Sequence, residues 1–220
     1  MAKQWVRNHE VQHDEVQDFI DRSIIWVASN RQTAAIVGGV LAAAILVAVL
    51  SVYRVRAKRE DAWNRLGNAE SLAYSGRGDS AMDKIKQLSV DHPGSDAAGF
   101  AAIFAGDIMF QRGQYKEAAS QYEKVVAAPY GPRVLGPLAL CDLALAQEAA
   151  GQPKEAAQTA RHFLDAYSDH FLAPQAHACL ARSLEAAGQS AEARTTLQKI
   201  VLQYPDTAWA AWAQARLKTS

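Results

Sequence analysis

Four glycines, Gly76, Gly113, Gly151 and Gly188, stand 37, 38 and 37 residues apart in matching surroundings: YSGRGDSAMDKI, FQRGQYKEAASQY, EAAGQPKEAAQTA and EAAGQSAEARTTL. A period this constant restricts the fold more than any single motif, because each unit must be one supersecondary element whose apolar face only its neighbours can cover. Seven residues before the glycines stand Ala69, Gly106, Ala144 and Ala181, and five residues after them Ala81, Ala118, Ala156 and Ala193. Small side chains at both offsets let a helix before the turn approach a helix after it. Nine and twelve residues after the glycines come Ile85 and Leu88, Tyr122 and Val125, Ala160 and Phe163, Leu197 and Ile200, one apolar stripe along each second helix. Pro93 and Pro205, seventeen residues after the first and fourth glycines, end those helices, and the middle units have Pro129 and Pro174 near the same place.

These offsets resemble the tetratricopeptide repeat, a helix-turn-helix unit with small residues on either side of a turn glycine and a terminal proline. The likeness covers about residues 63 to 206 and leaves TAWAAWAQARLK, 207 to 218, as a closing helix that shields the open end with Trp209 and Trp212. The period exceeds the usual ~34, which predicts longer turns between repeats. The expected fold is all-α, an N-terminal amphipathic segment and a single transmembrane helix followed by a tetratricopeptide-like α-solenoid. Its boundaries are a tail at 1–31, a membrane span at 32–53, a basic juxtamembrane helix at 54–62 and a repeat domain with its capping helix at 63–220.

The span is read from Gln32 to Tyr53, 22 residues without a formal charge. As a helix rising ~1.5 Å per residue it reaches about 33 Å, roughly the hydrocarbon thickness of a bilayer. A signal peptide would lie nearer the start and have a shorter apolar core, and no comparable apolar surface elsewhere in the chain is available to enclose a core helix of this kind. Before the span, Val16, Phe19, Ile20, Ile24 and Val27 lie at helical spacing opposite Asp14, Asp18 and Asp21, which suits an interfacial or partner-packing helix and not one drawn to anionic lipid. Within the span, Gly38 with Ala42 and Gly39 with Ala43 are small-xxx-small pairs that can admit a second helix as readily as face lipid.

Residues 61 to 220 carry 15 Lys and Arg against 17 Asp and Glu, interspersed, so the footprint of a nucleic-acid binder is missing. Cys141 and Cys179 occur singly in apolar helical surroundings, without the CxxC spacing of zinc or thiol-exchange sites, and a disulfide between them stays open. His9-Glu10-Val11-Gln12-His13 matches the H-E-x-x-H pattern of zinc proteases, but a short tail supplies neither a third ligand nor a cleft. His92, His162, His170 and His177 are scattered, and no catalytic arrangement, metal site or cofactor site is expected. Some tetratricopeptide domains clamp a C-terminal carboxylate with Lys and Asn on successive first helices. The matching offsets here hold Leu66, Glu70, Ile103 and Asp107, so that clamp is absent. The candidate site is instead a protein-binding groove lined by Trp63, Phe100, Phe110 and Leu145, with Glu70, Asp107, Glu148 and Arg182 around it, suited to apolar or partly unfolded segments. Ordinary packing between repeats is the competing role for each of its aromatic residues.

Tail, span and repeats together, with the stretches SNRQTAAIVGGV, AYSGRGDSA and KQLSVDHPGSDAAGFAA, resemble the YfgM-like family of bacterial inner-membrane proteins. That resemblance implies a cytoplasmic N-terminus, a periplasmic repeat domain, and association with the Sec translocon, a membrane-anchored periplasmic chaperone and secretory clients, with no catalytic residues. Flanking charge points the other way. The nineteen residues before the span hold Arg22 and Arg31, and the nineteen after it hold Arg54, Arg56, Lys58, Arg59 and Arg65, which favours a cytoplasmic C-terminal side. Three functions follow for testing: a non-enzymatic scaffold aiding secretory proteins; a structural assembly factor for an envelope or cytoplasmic-face complex; and, remotely, a zinc peptidase built on His9 and His13.

Overall fold

The computed structural model describes residues 17–127 and 134–219. The His9–His13 pentapeptide, Asp14, Val16 and Pro129 lie outside them. Ten α-helices are found among the described residues: α1 (17–29), α2 (Arg31–Tyr74), α3 (Gly78–Asp91), α4 (Asp96–Gln111), α5 (Tyr115–Ala127), α6 (Leu135–Ala149), α7 (Pro153–Ala166), α8 (Ala173–Ala186), α9 (Ser190–Gln203) and α10 (Ala208–Leu217). The chain divides into two compact units, Met1–Ala57 and Lys58–Ser220, with the division inside α2.

In the first unit, α1 is interrupted from α2 at Asn30, and the Asn30 side chain turns back to the Trp26 carbonyl at 3.1 Å. The apolar stretch of α2 is long enough to cross a membrane, and none of it is buried against protein. Ile36, Val37, Ile45 and Leu46 are all exposed, distributed around the helix and not along one stripe.

The second unit is built as the period demands. Each of the four turn glycines sits at positive φ, between 73° and 79°, where a side chain would be strained. At each turn the glycine N–H returns to the carbonyl three residues back, and the next N–H to the carbonyl five back, as in Gly113 to Phe110 and Gln114 to Met109. All eight small positions flanking the turns are buried. The reason is clearest at Gly106, where an added Cβ would lie 2.5 Å from the Tyr122 ring packed across it. The apolar stripe is buried too, from Ile85 and Leu88 on α3 to Leu197 and Ile200 on α9. Pro93 and Pro205 each fall two residues beyond the helix they terminate.

Helices α5, α7 and α9 each pack on the first helices before and after them, α3 packs on α4 and meets α2 in the Leu66 cluster, and the first helices also touch one another: α4 on α6, α6 on α8, α8 on α10. The second helices stand farther apart, and α7 meets α9 through the side-chain ion pair of Arg161 with Glu192. The solenoid therefore has a continuous layer of first helices and a layer of separated second helices. The core is correspondingly a chain of small clusters. One joins Leu66 and Ala69 of α2 to Ile85, Leu88 and Ala101; the last joins Leu197 and Ile200 to Ala213 of α10, with Trp209 and Trp212 packed against it. Helix α10 begins at Thr207, whose Oγ1 accepts from the Ala210 N–H at 3.2 Å, and covers the apolar end of the last repeat.

Candidate protein-binding surface

The continuous layer consists of the second half of α2 with α4, α6, α8 and α10, and every residue expected in the groove lies on one of these helices. At the N-terminal end of the layer, Trp63 of α2 remains 37% exposed and tilts against Phe100 of α4, ring centroids 5.4 Å apart. Glu70 is half-buried one turn past Leu66. Phe110 and Leu145 are also half-buried. Phe110 sets its ring edge-on to Tyr115 at 5.0 Å and packs on the Tyr122–Leu143 cluster; Leu145 fills the space between the Phe163 and Leu184 clusters. These two side chains therefore join neighbouring repeats as well as bordering the layer.

Midway, Asp107 of α4 accepts a hydrogen bond from the Tyr122 hydroxyl at 2.7 Å. Burial raises the Asp107 carboxyl above its ordinary range, opposed by that hydrogen bond, and burial followed by Asp107 raises the Tyr122 phenol. Asp142 of α6 completes the group. Burial, then the Asp107 charge, pushes its carboxyl up to about 7, so two desolvated carboxyls on adjacent helices resist ionising together. Sequence reasoning passed over Asp142. The available signal was its isolation as the one charge within LALCDLAL.

At the C-terminal end, Glu148 of α6 receives Arg182 of α8 through two parallel hydrogen bonds, Nε to Oε1 at 2.5 Å and Nη2 to Oε2 at 2.7 Å. This bidentate pair is the geometry that a guanidinium fork favours, and it helps hold Arg182 protonated. The Arg182 guanidinium lies 5.8 Å from the Trp212 ring centre, and Arg216, bonded to Glu185, lies 5.7 Å from the same ring. The ladder Glu148–Arg182–Trp212–Arg216–Glu185 thus ties three first helices together. Trp212 and Arg216 did not stand out in the sequence as members of it.

Cys141 and Cys179 are buried free thiols. Burial, then Asp142, pushes Cys141 up to about 12, and burial raises Cys179 as well, so both stay protonated near neutrality. Among the described residues no three His, Cys, Asp or Glu side chains gather to hold a metal ion.

Stacked helical hairpins with positive-φ glycine turns, a continuous inner layer and a capping helix define an α-solenoid of the tetratricopeptide type. Two family models, each described as a tetratricopeptide repeat, match residues 137–162 and 180–207, within the third and fourth units. No curated protein matches the chain. Solved structures with this fold include a tetratricopeptide repeat protein from Parabacteroides merdae, 16% identical with a TM-score of 0.61, the match spanning 72% of this chain and 59% of that one. MamA from Desulfovibrio magneticus RS-1 is also 16% identical, with a TM-score of 0.57 over 74% and 88% of the two chains. YrrB, described as a tetratricopeptide protein with an unusual peptide-binding site, is 18% identical with a TM-score of 0.52 over 70% and 76%.

Proposed function

We propose that the protein is a membrane-anchored, non-enzymatic interaction scaffold whose first-helix layer receives apolar or partly unfolded segments of other proteins. The observation that carries this is the layer itself: α4, α6 and α8 touch in series, and they present the Trp63–Phe100 pair at one end and the Arg182–Trp212 ladder at the other. Aromatic side chains beside desolvated charge are the usual energetic centres of protein interfaces. Anchoring is supported by the wholly exposed apolar stretch of α2, which water would not tolerate. The more specific role, assistance to secretory proteins at the Sec translocon with a periplasmic chaperone and the N-terminus in the cytoplasm, rests on the YfgM-like resemblance. No cofactor or small-molecule substrate enters it.

A second role is favoured by a separate observation, the five basic residues within the nineteen that follow the span. They would hold the repeats on the cytoplasmic side, as an assembly factor for a membrane complex. A reporter fused after Ser220 separates the two. Periplasmic activity of the reporter, with copurification of translocation components in mild detergent, supports the secretory role. A cytoplasmic C-terminus removes it and leaves assembly on the cytoplasmic face.

A further inference from the structure

The outer layer contains a cleft of about 1050 Å³ between α7 and α9, floored by α8. Its walls are second helices, whereas the proposed groove is lined by first helices, with α8 contributing to both, and its volume is at the upper end for ligand sites in proteins. Its floor is apolar, formed by Pro174, Leu180 and Leu184. Its walls are polar, and their charges nearly cancel: Asp165, Asp169 and Glu192 against Arg161 and Lys199, with Arg161 already paired to Glu192. A nucleotide or another polyanion would find no net attraction there.

Two histidines on this cleft carry defined and opposite hydrogen-bonding roles. His177, only 8% exposed, places Nδ1 3.0 Å from the Ala173 carbonyl, which can only accept, and 3.2 Å from the Tyr204 hydroxyl; an Nδ1 proton shared between these two oxygens leaves Nε2 a bare acceptor. Burial lowers the His177 imidazole below its ordinary range and keeps it neutral. Among the described residues no buried side-chain nitrogen or oxygen lacks a partner. The Nε2 atom, which bonds to none of its neighbours, therefore reaches the open space that the ring lines, and that space is the cleft. His170 is the reverse case. Its Nδ1 accepts from the Leu172 N–H at 3.3 Å, which leaves Nε2 as the N–H donor. Beside it Phe171, 75% exposed, tilts at 34° against the His170 ring with centroids 4.4 Å apart, an apolar side chain at the rim.

One donor, one acceptor, an apolar floor and balanced charge match an extended peptide: the backbone N–H and C=O need opposite partners, and alternate side chains need apolar cover. We infer that the α7–α9 cleft is a second protein-recognition site, which binds an uncharged extended segment of a partner by its main chain between His170 and His177. The site shares α8 with the first-helix layer but none of the groove residues, and it does not depend on the membrane topology.

The test uses the full-length chain in lipid nanodiscs and a library of N-acetylated, C-amidated hexapeptides of Ala, Leu, Phe, Ser and Asn. Enriched peptides should bind the wild type and bind roughly tenfold more weakly to His170→Ala, as the loss of one hydrogen bond predicts. Phe171→Ala, at an exposed rim position, should weaken them similarly; because His170 also sets its ring edge-on to the buried Phe163 at 5.9 Å, thermal melts of His170→Ala separate lost binding from lost fold. With the protein unchanged, N-methylation of a single peptide amide should cause a comparable loss at one position and little at the others. Asp79→Ala, at an exposed position of α3 that lines neither surface, should leave affinity unchanged, and peptides that Trp63→Ala weakens are assigned to the first-helix groove. The inference is overturned if no peptide is enriched, if affinity is indifferent to His170 and Phe171, or if Trp63→Ala abolishes binding of every enriched peptide.

Discussion

The apolar residues of α2 and those of the repeat helices are chemically alike, yet they are deployed in opposite ways. Between Gln32 and Tyr53 they surround the helix without a period and none is covered by protein. From Leu66 onward they fall on stripes, and Leu88, Phe163, Leu197 and Ile200 retain no accessible surface. The first pattern needs an apolar solvent and the second needs other helices. Alanine marks the contrast: in the span it is exposed filler, whereas Ala69, Ala81, Ala118 and Ala181 are fully buried because a larger group would hold two backbones apart.

If this contrast is physical, substitutions should separate the two behaviours. The largest effect is expected at Phe163, which supports both α6 and α8. Phe163→Ala should destabilise the repeats by about 3–5 kcal/mol, seen in thermal melts followed by circular dichroism, without changing the fraction recovered with membranes. Ile45→Arg should do the converse, opposing insertion by about 2.5–3.5 kcal/mol and shifting the protein out of the membrane fraction while the repeats melt as before.

A smaller effect separates buried polarity from buried apolarity. The folded Asp142 carboxyl is raised from 3.8 to about 7, so the folded state holds its proton more tightly than the unfolded chain. Its contribution to stability is full below the unfolded value and is lost as pH rises from about 4 to about 7. Asp142→Asn should flatten that decline and raise stability at pH 8 by about 1–3 kcal/mol, measured as denaturation midpoints across the pH range. The smallest effect is expected at Asp79, 95% exposed and paired with Arg112. Asp79→Ala should change stability by less than about 0.5 kcal/mol, and a larger loss would mean that surface pairing contributes to joining the repeats.

Much of the architecture was legible because its signals are local. The glycine turns, the small flanking positions and the terminating prolines each act within about a dozen residues, and the helical rise converts their spacing directly into shape. The candidate groove was legible only in part. Trp63 and Phe100 do meet, and Glu148 and Arg182 do pair, but Phe110 and Leu145 also serve the packing between repeats. Asp142 went unnoticed because nothing in one helix says which neighbour its carboxyl will face.

By itself the sequence determined the repeat period, the turn positions, the buried stripes and the presence of an uninterrupted apolar stretch. Only the tertiary structure decided that Asp107 meets Tyr122 and Asp142, that Arg182 bridges Glu148 to Trp212, and that α7 and α9 part to leave a cleft with two histidines of opposite polarity. The physical reason is that spacing along one helix follows from its fixed geometry. Contact between helices depends on crossing angles and on side chains from three or more segments packed at once.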